Sequence, residues 1–489
     1  MTIECPHRPA CDGCPRFEQT QAQRANELLE SLVRLAQQFD LRTPSDLGMA
    51  DHDLGYRNRA RMVVRPQEAK PLGYFGAGSR DYVGVDACLV HDPRIESVLD
   101  TVRAFSTHTV VKAARFIDVR AGKNTIITFA VSQALDEGAT ADFVQRLHAR
   151  HPDLGVQINV GAKHGVLSGT QVLVCGPEAV TFELAGKSFE APPTAFFQVN
   201  TEMLGAMHER MASWIGDEPI IDCYSGVGVH GLALGTGPVY GMDNVAVSVD
   251  YADRNAKANG REAQFECVDD ADSSAWQPPF AGATIIVNPA RAGLQKAFLE
   301  RIGTQQAKQI LYVSCSPISF YRDAERLARL GWACEDLHAF ELMPRTNHVE
   351  LVARFVPGPA RQAPKRAADE DSTWVAIVDG VVPHGALPNG PGGDIMARRI
   401  RTLGGVSVIR LVCKEPIDAD TVCQRLRAWK HPVVGDDAYG SRKLNATWLR
   451  DRYVDEAMVA CIRDGEFVYA VPGLLAATAQ LPATAFERS

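Results

Sequence analysis

The chain has 489 residues, of which 46% are apolar and 22% are charged, and its formal net charge is −8. This ordinary globular composition excludes a wholly disordered chain, a collagen-like fibre and a coiled coil. The length predicts about three domains. The negative charge argues against a uniformly basic nucleic-acid coat but leaves room for a local basic patch.

Neither a membrane span nor a secretory signal is visible. No apolar run approaches the ~20 residues of a membrane helix, and the N-terminus, MTIECPHRPACDGCP, has no apolar segment of the signal type. We therefore expect a cytoplasmic monomer without membrane contact. Twelve cysteines are too few for a disulfide scaffold of this length. In a reducing compartment they are better interpreted as thiols, metal ligands or catalytic groups.

Three cysteines near the N-terminus form a C-x5-C-x2-C pattern: Cys5, Cys11 and Cys14. Thiols this close in sequence can converge on one ion or cluster. Residues 1–17 carry too little apolar mass to bury them as ordinary core cysteines. Cys88 is the best candidate for a fourth ligand, and His7 or His91 could replace one cysteine in a zinc site. Spacing alone does not choose between zinc and an iron–sulfur cluster.

The predicted elements change character along the chain. A helix is predicted from Glu18 to about Phe39, where leucine and valine side chains recur near helical spacing. From Tyr56 to about Thr194, short strand-like runs separated by turn residues predict a β-rich or α+β module. Residues 195–356 alternate strand-like and helical stretches, which indicates an α/β fold, with a mostly parallel sheet and helices on both faces.

The remainder is a predicted linker, rich in Pro, Ala and charge, followed by a mixed α+β segment. Residues 395–452 hold twelve Lys or Arg residues against six Asp or Glu. This excess is either a solvated face or an RNA-contacting surface, and charge alone does not decide between them. The predicted boundaries are 1–55, 56–194, 195–356, 357–372 and 373–489.

The segment Pro219–Leu234 is a predicted strand, a glycine-containing turn and an apolar helix. Gly226 and Gly228 allow a ligand to approach the backbone closely at the helix N-terminus. Asp243 ends the next predicted strand, where a carboxylate can accept hydrogen bonds from ribose hydroxyls. Gly231 lies three residues after Gly228, whereas the dinucleotide fingerprint requires two, which favours S-adenosylmethionine over NAD. A plain α/β turn without a ligand is the alternative.

A candidate nucleophile and a candidate base follow. Cys315 ends the strand-like run QILYVSC, and ligands of open α/β sheets bind outside that edge. Its thiol can be a nucleophile if nearby cationic groups, or a helix beginning at Pro317, lower its pKa. Glu350 begins a later strand and is the best candidate for a general base. Core packing is the alternative for any single buried cysteine.

Several motifs occur in one order after the first three cysteines: GYRNRARMVV, the fourth cysteine, FFQVN, DCYSGVG, NPARAGL, YVSCSP and MPRTNHVE. Over about residues 1–356 the chain resembles the RNA uracil-C5-methyltransferase family, specifically its iron–sulfur 23S rRNA branch without an N-terminal OB-like domain. The resemblance implies a class I S-adenosylmethionine methyltransferase with a Rossmann-like sheet. It also implies RNA, in particular 23S rRNA, as the substrate and 5-methyluridine as the product.

The resemblance implies roles for individual residues. The implied ligands of a [4Fe-4S] cluster are Cys5, Cys11, Cys14 and Cys88. The residues implied to bind S-adenosylmethionine are Gln198, Tyr224, Gly226, Gly228, Asp243, Asp269 and Asn288. Cys315 is implied to attack C6 of uracil, and Glu350 to remove the C5 proton after methylation.

The cofactor loop departs from the family pattern. Ser225 replaces a cysteine, Val229 an asparagine and Asn288 a carboxylate, while Asp243 stands where glutamate is usual. A non-catalytic RNA-binding descendant with weakened cofactor binding is therefore the alternative function. An iron–sulfur oxidoreductase is a third hypothesis, against which the chain shows no flavin or NAD fingerprint.

The C-terminal segment has a second resemblance. GGVSVIRLV and QRLRAWKHPVVGDDAYG are similar to the C-terminal half of RluA-type pseudouridine synthases, but their catalytic H-R-L-D motif does not occur in residues 366–489. The resemblance implies a truncated, catalytically silent module that binds RNA or only packs against the core. The residues implied for RNA contact are Arg425, Arg427, Lys430 and Arg442.

Overall fold

The computed structural model describes residues 4–11, 13–39, 41–76, 81–161 and 167–361, together with the backbone of six strands beyond them. Within those residues, no helix is both long enough and apolar enough to cross a membrane. Most of the predicted linker lies outside the described residues. The four basic residues predicted to contact RNA lie outside them as well.

Helices and strands are distributed throughout residues 4–361. The α-helices are α1 (Gln21–Gln38), α2 (Pro93–Ala104), α3 (Thr109–Ala113), α4 (Glu137–His148), α5 (Thr201–Ala212), α6 (Val229–Ala233), α7 (Ala246–Ala258), α8 (Lys296–Gly303) and α9 (Pro317–Arg329). The strands are β1 (Leu47–Gly48), β2 (Arg59–Val64), β3 (Leu72–Phe75), β4 (Tyr82–Gly84), β5 (Ala114–Ala121), β6 (Thr125–Val131), β7 (Gly155–Val160), β8 (Thr170–Cys175), β9 (Val180–Leu184), β10 (Lys187–Ala191), β11 (Ile220–Cys223), β12 (Val239–Asp243), β13 (Ala263–Cys267), β14 (Thr284–Val287), β15 (Gln309–Ser314), β16 (Trp332–Phe340) and β17 (Glu350–Pro357).

The first helix begins where its sequence offers a cap. The Thr20 side chain accepts a hydrogen bond from the backbone N–H of Gln23, and the Gln23 side chain accepts one from the backbone N–H of Thr20. This reciprocal capping box satisfies two amides that would otherwise lack partners. Helix α1 therefore begins after Thr20, three residues later than the predicted start at Glu18.

The central region forms a seven-stranded mixed sheet in the order β4-β3-β2-β5-β6-β7-β8. Strands β6 and β7 are parallel because α4 returns the chain between them, and the other neighbours are antiparallel. Leu99 of α2 and Phe143 of α4 pack on the sheet in one apolar cluster. The strand-like runs of this region form strands, with helices packed on the sheet.

The second sheet has eight strands in the order β1-β16-β17-β15-β14-β11-β12-β13. Strands β11 to β15 are parallel to one another, and β17 inserts antiparallel between β15 and β16. This sheet confirms the predicted Rossmann-like α/β fold. Strand β1 pairs with β16 in parallel, so residues 47–48 belong to this sheet although the sequence placed them in the N-terminal segment.

Apolar layers cover both faces of the Rossmann-like sheet. On one face, α5, α6, α7 and the β9–β10 hairpin contribute buried side chains such as Met207 and Phe189. On the other, α8 and α9 pack together with Leu32 of α1. Burying one such leucine stabilises the fold by about 1.5–3 kcal/mol. Helix α1 is therefore part of the core of the Rossmann-like sheet, and its own periodicity could not predict this packing.

The C-terminal segment contributes a six-stranded antiparallel sheet, of which the backbone is described. Its strands are β18 (Thr373–Asp379), β19 (Ala386–Leu387), β20 (Ile395–Leu403), β21 (Val406–Cys413), β22 (Val459–Arg463) and β23 (Glu466–Ala470). They lie in the order β19-β20-β21-β18-β22-β23. Most of the run GGVSVIRLV lies in β21.

Candidate active site and cysteine cavity

The glycine loop, Tyr224–Gly228, joins β11 to α6 at the carboxyl edge of the parallel strands. Three of its residues have positive φ angles: Tyr224 at 62°, Gly226 at 55° and Gly228 at 81°. For a tyrosine this conformation costs about 1–3 kcal/mol. A Cβ added at Gly228 would lie 2.9 Å from Leu232 Cδ1, whereas one added at Gly226 would have nothing within 4 Å. The space over Gly226 is therefore open at the start of α6.

Asp243 lies at the end of β12, beside the glycine loop. Its Oδ2 accepts a hydrogen bond from the Gly226 N–H at 2.9 Å, and its Oδ1 accepts one from the Val245 N–H at 2.9 Å. Each carboxylate oxygen can accept a second hydrogen bond. Asp243 thus holds the loop in shape and keeps the capacity to accept a bond from a ligand hydroxyl.

Tyr224 and Asp269 border the same edge through the loop after β13. The Tyr224 hydroxyl donates to Oδ2 of Asp270 at 2.6 Å, and burial together with this bond raises the pKa of Tyr224. Asp269 accepts hydrogen bonds from the Ala271 N–H at 3.0 Å and from Asn244 Nδ2 at 3.3 Å, which lower its pKa. Sequence reasoning missed Asp270, the anchor of Tyr224.

Gln198 lies in the segment that connects the central sheet to α5. Asn58 Nδ2 donates to its backbone oxygen at 2.8 Å. Phe197 stacks on Phe182 with ring centroids 3.9 Å apart, whereas Phe196 is 63% exposed. The FFQ motif therefore has one aromatic ring in the core and one in solvent, with Gln198 buried next to them.

Asn288 follows β14 at the same edge of the sheet, and its Nδ2 lies 3.1 Å from Nε2 of His230. His230 Nδ1 lies 2.9 Å from Nε2 of His208. Both histidines are buried. Sequence reasoning missed them, because the three residues lie on three different elements and share no local pattern.

Cys315 and Glu350 are brought together by the pairing of β15 with β17. Ser314 is the last residue of β15 and pairs with Leu351, so the next residue on each strand places Cys315 beside Glu350. Burial raises the pKa of Glu350 to about 8, against the opposing charge of Arg291. Burial and the charge of Glu350 raise the pKa of the Cys315 thiol to about 11, and Arg291 opposes this too.

The net shift of the Cys315 pKa is therefore upward, although groups that could lower it are present. The cation and the helix start are both present: Arg291 acts on the thiol, and α9 begins at Pro317 with Ser316 as its N-cap. Burial and the Glu350 charge outweigh them. Because the reactive form is the thiolate, a proton must leave this pair before the sulfur can attack. Arg291 lies in the NPARAGL motif, and sequence reasoning assigned it no role.

The cysteine cavity is lined by eleven residues, including the four predicted cluster ligands: Cys5, Cys11, Cys14 and Cys88. None of the four is in a disulfide. Burial, followed by the charges of Cys88, Cys11 and Cys5, raises the pKa of Cys14 to about 12. Nevertheless, among the described residues no three His, Cys, Asp or Glu side chains form a group that could hold a metal ion. The four thiols are thus gathered around one space without metal-ligand geometry.

Both ring nitrogens of His91 have protein partners. Its Nε2 lies 2.6 Å from the Tyr74 hydroxyl, and its Nδ1 lies 2.5 Å from Glu96 Oε1. Burial opposes ionisation of the Cys88 thiol, but the hydrogen bond and charge of His91 lower the pKa of that thiol overall. His91 is therefore engaged by the protein at both ring nitrogens and favours the ionised form of Cys88. His7 lines the cavity, and its Nε2 lies 2.9 Å from the Ala87 carbonyl oxygen.

A family model described as tRNA (Uracil-5-)-methyltransferase matches residues 239–353. Among curated proteins, the chain is 27% identical over 383 residues to an uncharacterized RNA methyltransferase of Geobacter sulfurreducens, a match that covers 72% of this chain and 76% of that protein. The chain is thus similar to RNA methyltransferases over most of its length, and to the tRNA (Uracil-5-)-methyltransferase family model over residues 239–353. A relative of the same description from Thermosynechococcus vestitus is 29% identical over 326 residues, covering 62% of this chain and 72% of its own.

The family-model match spans the Rossmann-like sheet from β12 into β17. Asp243, Asn288, Cys315 and Glu350 all lie within residues 239–353. The fold is similar to the crystal structure of the Pyrococcus abyssi tRNA (uracil-54, C5)-methyltransferase in complex with S-adenosyl-L-homocysteine. That similarity has a TM-score of 0.59 at 23% sequence identity, and covers 71% of this chain and 86% of the other.

Proposed function

We propose that this chain is an S-adenosylmethionine-dependent RNA methyltransferase that makes 5-methyluridine in 23S rRNA. The observation that carries the proposal is the Cys315–Glu350 pair, a thiol and a buried carboxyl side by side at the carboxyl edge of a Rossmann-like sheet. The solved tRNA (uracil-54, C5)-methyltransferase of similar fold binds S-adenosyl-L-homocysteine, which supports the cofactor. The resemblance to the iron–sulfur branch supports 23S rRNA as the substrate.

The residues at the sheet edge fit the cofactor. Open space over Gly226 allows a ligand to approach the backbone, and Ser225 has a buried hydroxyl without a hydrogen-bond partner at the same loop. The residues that we assign to hold the cofactor are Gln198, Tyr224, Gly226, Gly228, Asp243, Asp269 and Asn288. When bound there, S-adenosylmethionine supplies the methyl group.

The chemistry of uracil explains why a thiol and a carboxylate are needed. C5 of uracil is a poor nucleophile, and attack of the Cys315 sulfur at C6 converts the ring into an enolate that is nucleophilic at C5. After methylation, the C5 carbon carries both the methyl group and a proton. Glu350 removes that proton, and the C6–S bond then breaks to release Cys315. The target base must first leave its stack to reach this buried pair.

Methyl transfer to 23S rRNA is the direct test of the proposed function. We expect the full chain to transfer the methyl group of S-adenosylmethionine to a 23S rRNA transcript, and the digested RNA to contain 5-methyluridine. A tRNA transcript of equal concentration is the matched control. Methylation of tRNA alone would contradict the 23S rRNA assignment. The absence of transfer to either RNA, despite cofactor binding, would favour the non-catalytic alternative.

The pKa of Glu350 near 8 gives methyl transfer a pH dependence. Below pH 8 the Cys315–Glu350 pair keeps both protons, so neither the thiolate nor the carboxylate base is available. The pair gains its reactive, singly deprotonated form as the pH rises through about 8. We expect kcat/KM for a short RNA to rise about tenfold per pH unit below that value and then to level off. A flat profile between pH 6 and 9 would contradict this assignment.

We also propose that the four cysteines of the cavity hold a [4Fe-4S] cluster. The chemistry of the donors supports the proposal, since four thiols line one space and a thiolate is the usual ligand of such clusters. Protein purified without oxygen is expected to contain iron and sulfide in equal amounts. Cys88→Ser should lose most of both, whereas Cys175→Ser, a thiol outside the cavity, should retain them. Zinc without sulfide in the unchanged protein would overturn the cluster.

A further inference from the structure

Helix α9 holds the backbone of the loop that carries Arg291. The hydroxyl of Ser319 lies 3.0 Å from the carbonyl oxygen of Arg291, to which it can only donate. The same hydroxyl lies 3.1 Å from the carbonyl oxygen of Ser316, so it bridges the start of the helix and the loop. Nη2 of Arg322, one turn further along the same helix face, donates to the carbonyl oxygen of Ala292 at 2.7 Å. Both of these helix side chains are buried.

Asp323 fixes the other end of the same loop. Its Oδ2 accepts hydrogen bonds from the N–H of Leu294 and from the hydroxyl of Tyr312, both at 2.8 Å. Gly293 lies between the two attachments with a φ angle of 82°. A Cβ added there would lie 2.5 Å from both Asp323 Oδ2 and Arg322 Nη2. Glycine therefore allows the loop to approach α9 this closely.

The same helix begins beside the candidate nucleophile, because Cys315 lies directly ahead of the N-cap of α9. Burial and the charge of Glu350 raise the pKa of the Cys315 thiol, whereas the charge and the hydrogen bond of Arg291 lower it. His348, just ahead of β17, has its pKa lowered by burial and then by the charges of Arg291 and Arg57. One helix therefore sets the distance between the nucleophile and its neighbouring cation.

We propose that the side chains with which α9 grips this loop are positioning residues, and that they keep the Arg291 guanidinium against the Cys315 thiol. They are Ser319, Arg322 and Asp323. The inference rests on the proposed function, in which that thiol is the nucleophile. Fixing a long arginine side chain costs conformational entropy, and a backbone that is already held leaves only the side chain to be ordered. The cation is thus in place before any RNA binds.

The rate at which iodoacetamide alkylates Cys315 tests this role in the full chain, without RNA or cofactor. Because the thiolate is the reacting form, the rate at pH 8 reports how far Arg291 favours it. Arg291→Gln should slow alkylation about tenfold, since losing a nearby opposite charge changes a pKa by about 1–3. Ser319→Ala should slow it about threefold, as expected for one lost hydrogen bond. Gly293→Ala, which pushes the loop away from α9, should approach the effect of Arg291→Gln.

Combined variants decide whether these residues act through Arg291. In the Arg291→Gln background, Ser319→Ala and Gly293→Ala should each change the rate by less than about twofold, because the group that they position is gone. Cys334 is the internal control, since its thiol is also half-buried and lies on β16. Mass spectrometry of the digest reports both thiols from one sample, and the Cys334 rate should be the same in every variant.

Several results would overturn the positioning role. They are equal slowing by Ser319→Ala with and without Arg291, unchanged alkylation of Cys315 in Arg291→Gln, and parallel changes at Cys334. Alkylation needs no methyl transfer, so the outcome is separate from that of the proposed function. A chain that methylated no RNA but gave the expected rates would lose the proposed function and keep the positioning role. An active enzyme whose alkylation rate ignored both Ser319→Ala and Gly293→Ala would do the reverse.

Discussion

Replacing Cys315 with alanine is expected to abolish methyl transfer while leaving the fold and cofactor binding intact. Without the sulfur, no enolate forms and C5 of uracil stays unreactive, so we expect the rate to fall by about 10⁴-fold or more, as when other enzymes lose their nucleophile. The side chain lies after the end of β15 and contributes little to the sheet itself. The measurement is transfer of labelled methyl groups to a short 23S rRNA fragment.

Cys334 provides the matched control for this substitution. Its thiol is also half-buried, and burial raises its pKa to about 12, but it lies within β16, away from the carboxyl edge of the parallel strands. Cys334→Ala should methylate RNA at the rate of the unchanged protein. In both variants the affinity for S-adenosylhomocysteine should stay within about twofold of that of the unchanged protein. Full activity of Cys315→Ala would refute covalent catalysis by this thiol.

The parts of the site that could be predicted from sequence are those that sit at strand ends. Asp243, Asn288 and Cys315 each follow or end a strand-like apolar run, and parallel strands bring their carboxyl ends to one edge. Alternation of short strands and helices was enough to place that edge. Glu350 begins its strand instead, and it reaches the same edge because β17 runs antiparallel to β15.

What could not be predicted depends on contacts between distant elements. Strand β1 has only two residues and no periodicity of its own, so its pairing with β16 could not be predicted from the sequence. The amphipathic pattern of α1 predicted a helix but not the sheet that it covers. The His208–His230–Asn288 chain joins α5, α6 and the end of β14, and nothing in the spacing of these residues links them.

The Cys315 thiol is a further case. Its position at a strand end could be predicted from the sequence, but the environment that sets its pKa could not. The sequence indicated a helix start at Pro317, and that helix forms. The neighbouring cation is Arg291, and it too lowers the pKa of Cys315. The degree of burial and the closeness of Glu350 are tertiary properties, and they reverse the net shift. The proposed catalysis therefore requires the loss of a proton from the Cys315–Glu350 pair and does not rely on a permanently ionised thiol.

Replacing Glu350 with glutamine is expected to trap the reaction halfway, with the protein covalently joined to methylated RNA. The negative charge of Glu350 raises the pKa of Cys315, and glutamine removes that charge, so attack at C6 should not be slowed. Methylation at C5 needs no base. Removal of the C5 proton does, and losing a positioned base slows such a step by about 10²–10⁴-fold. The C6–S bond then cannot break at its normal rate.

The covalent species is measured as an RNA-linked protein band on a denaturing gel, and mass spectrometry of its digest should find a methylated uracil on the peptide that contains Cys315. The double variant Cys315→Ala, Glu350→Gln should give no band, because the sulfur that forms the link is gone. Glu335→Gln, a change at a half-exposed carboxylate that pairs with Arg354 on β17, should turn over without trapping.

If Glu350→Gln released methylated RNA as fast as the unchanged protein, another group would have to remove the C5 proton. Since Arg291 is cationic and His348 has its pKa lowered by burial and by Arg291, the neutral imidazole of His348 would be the next base to substitute.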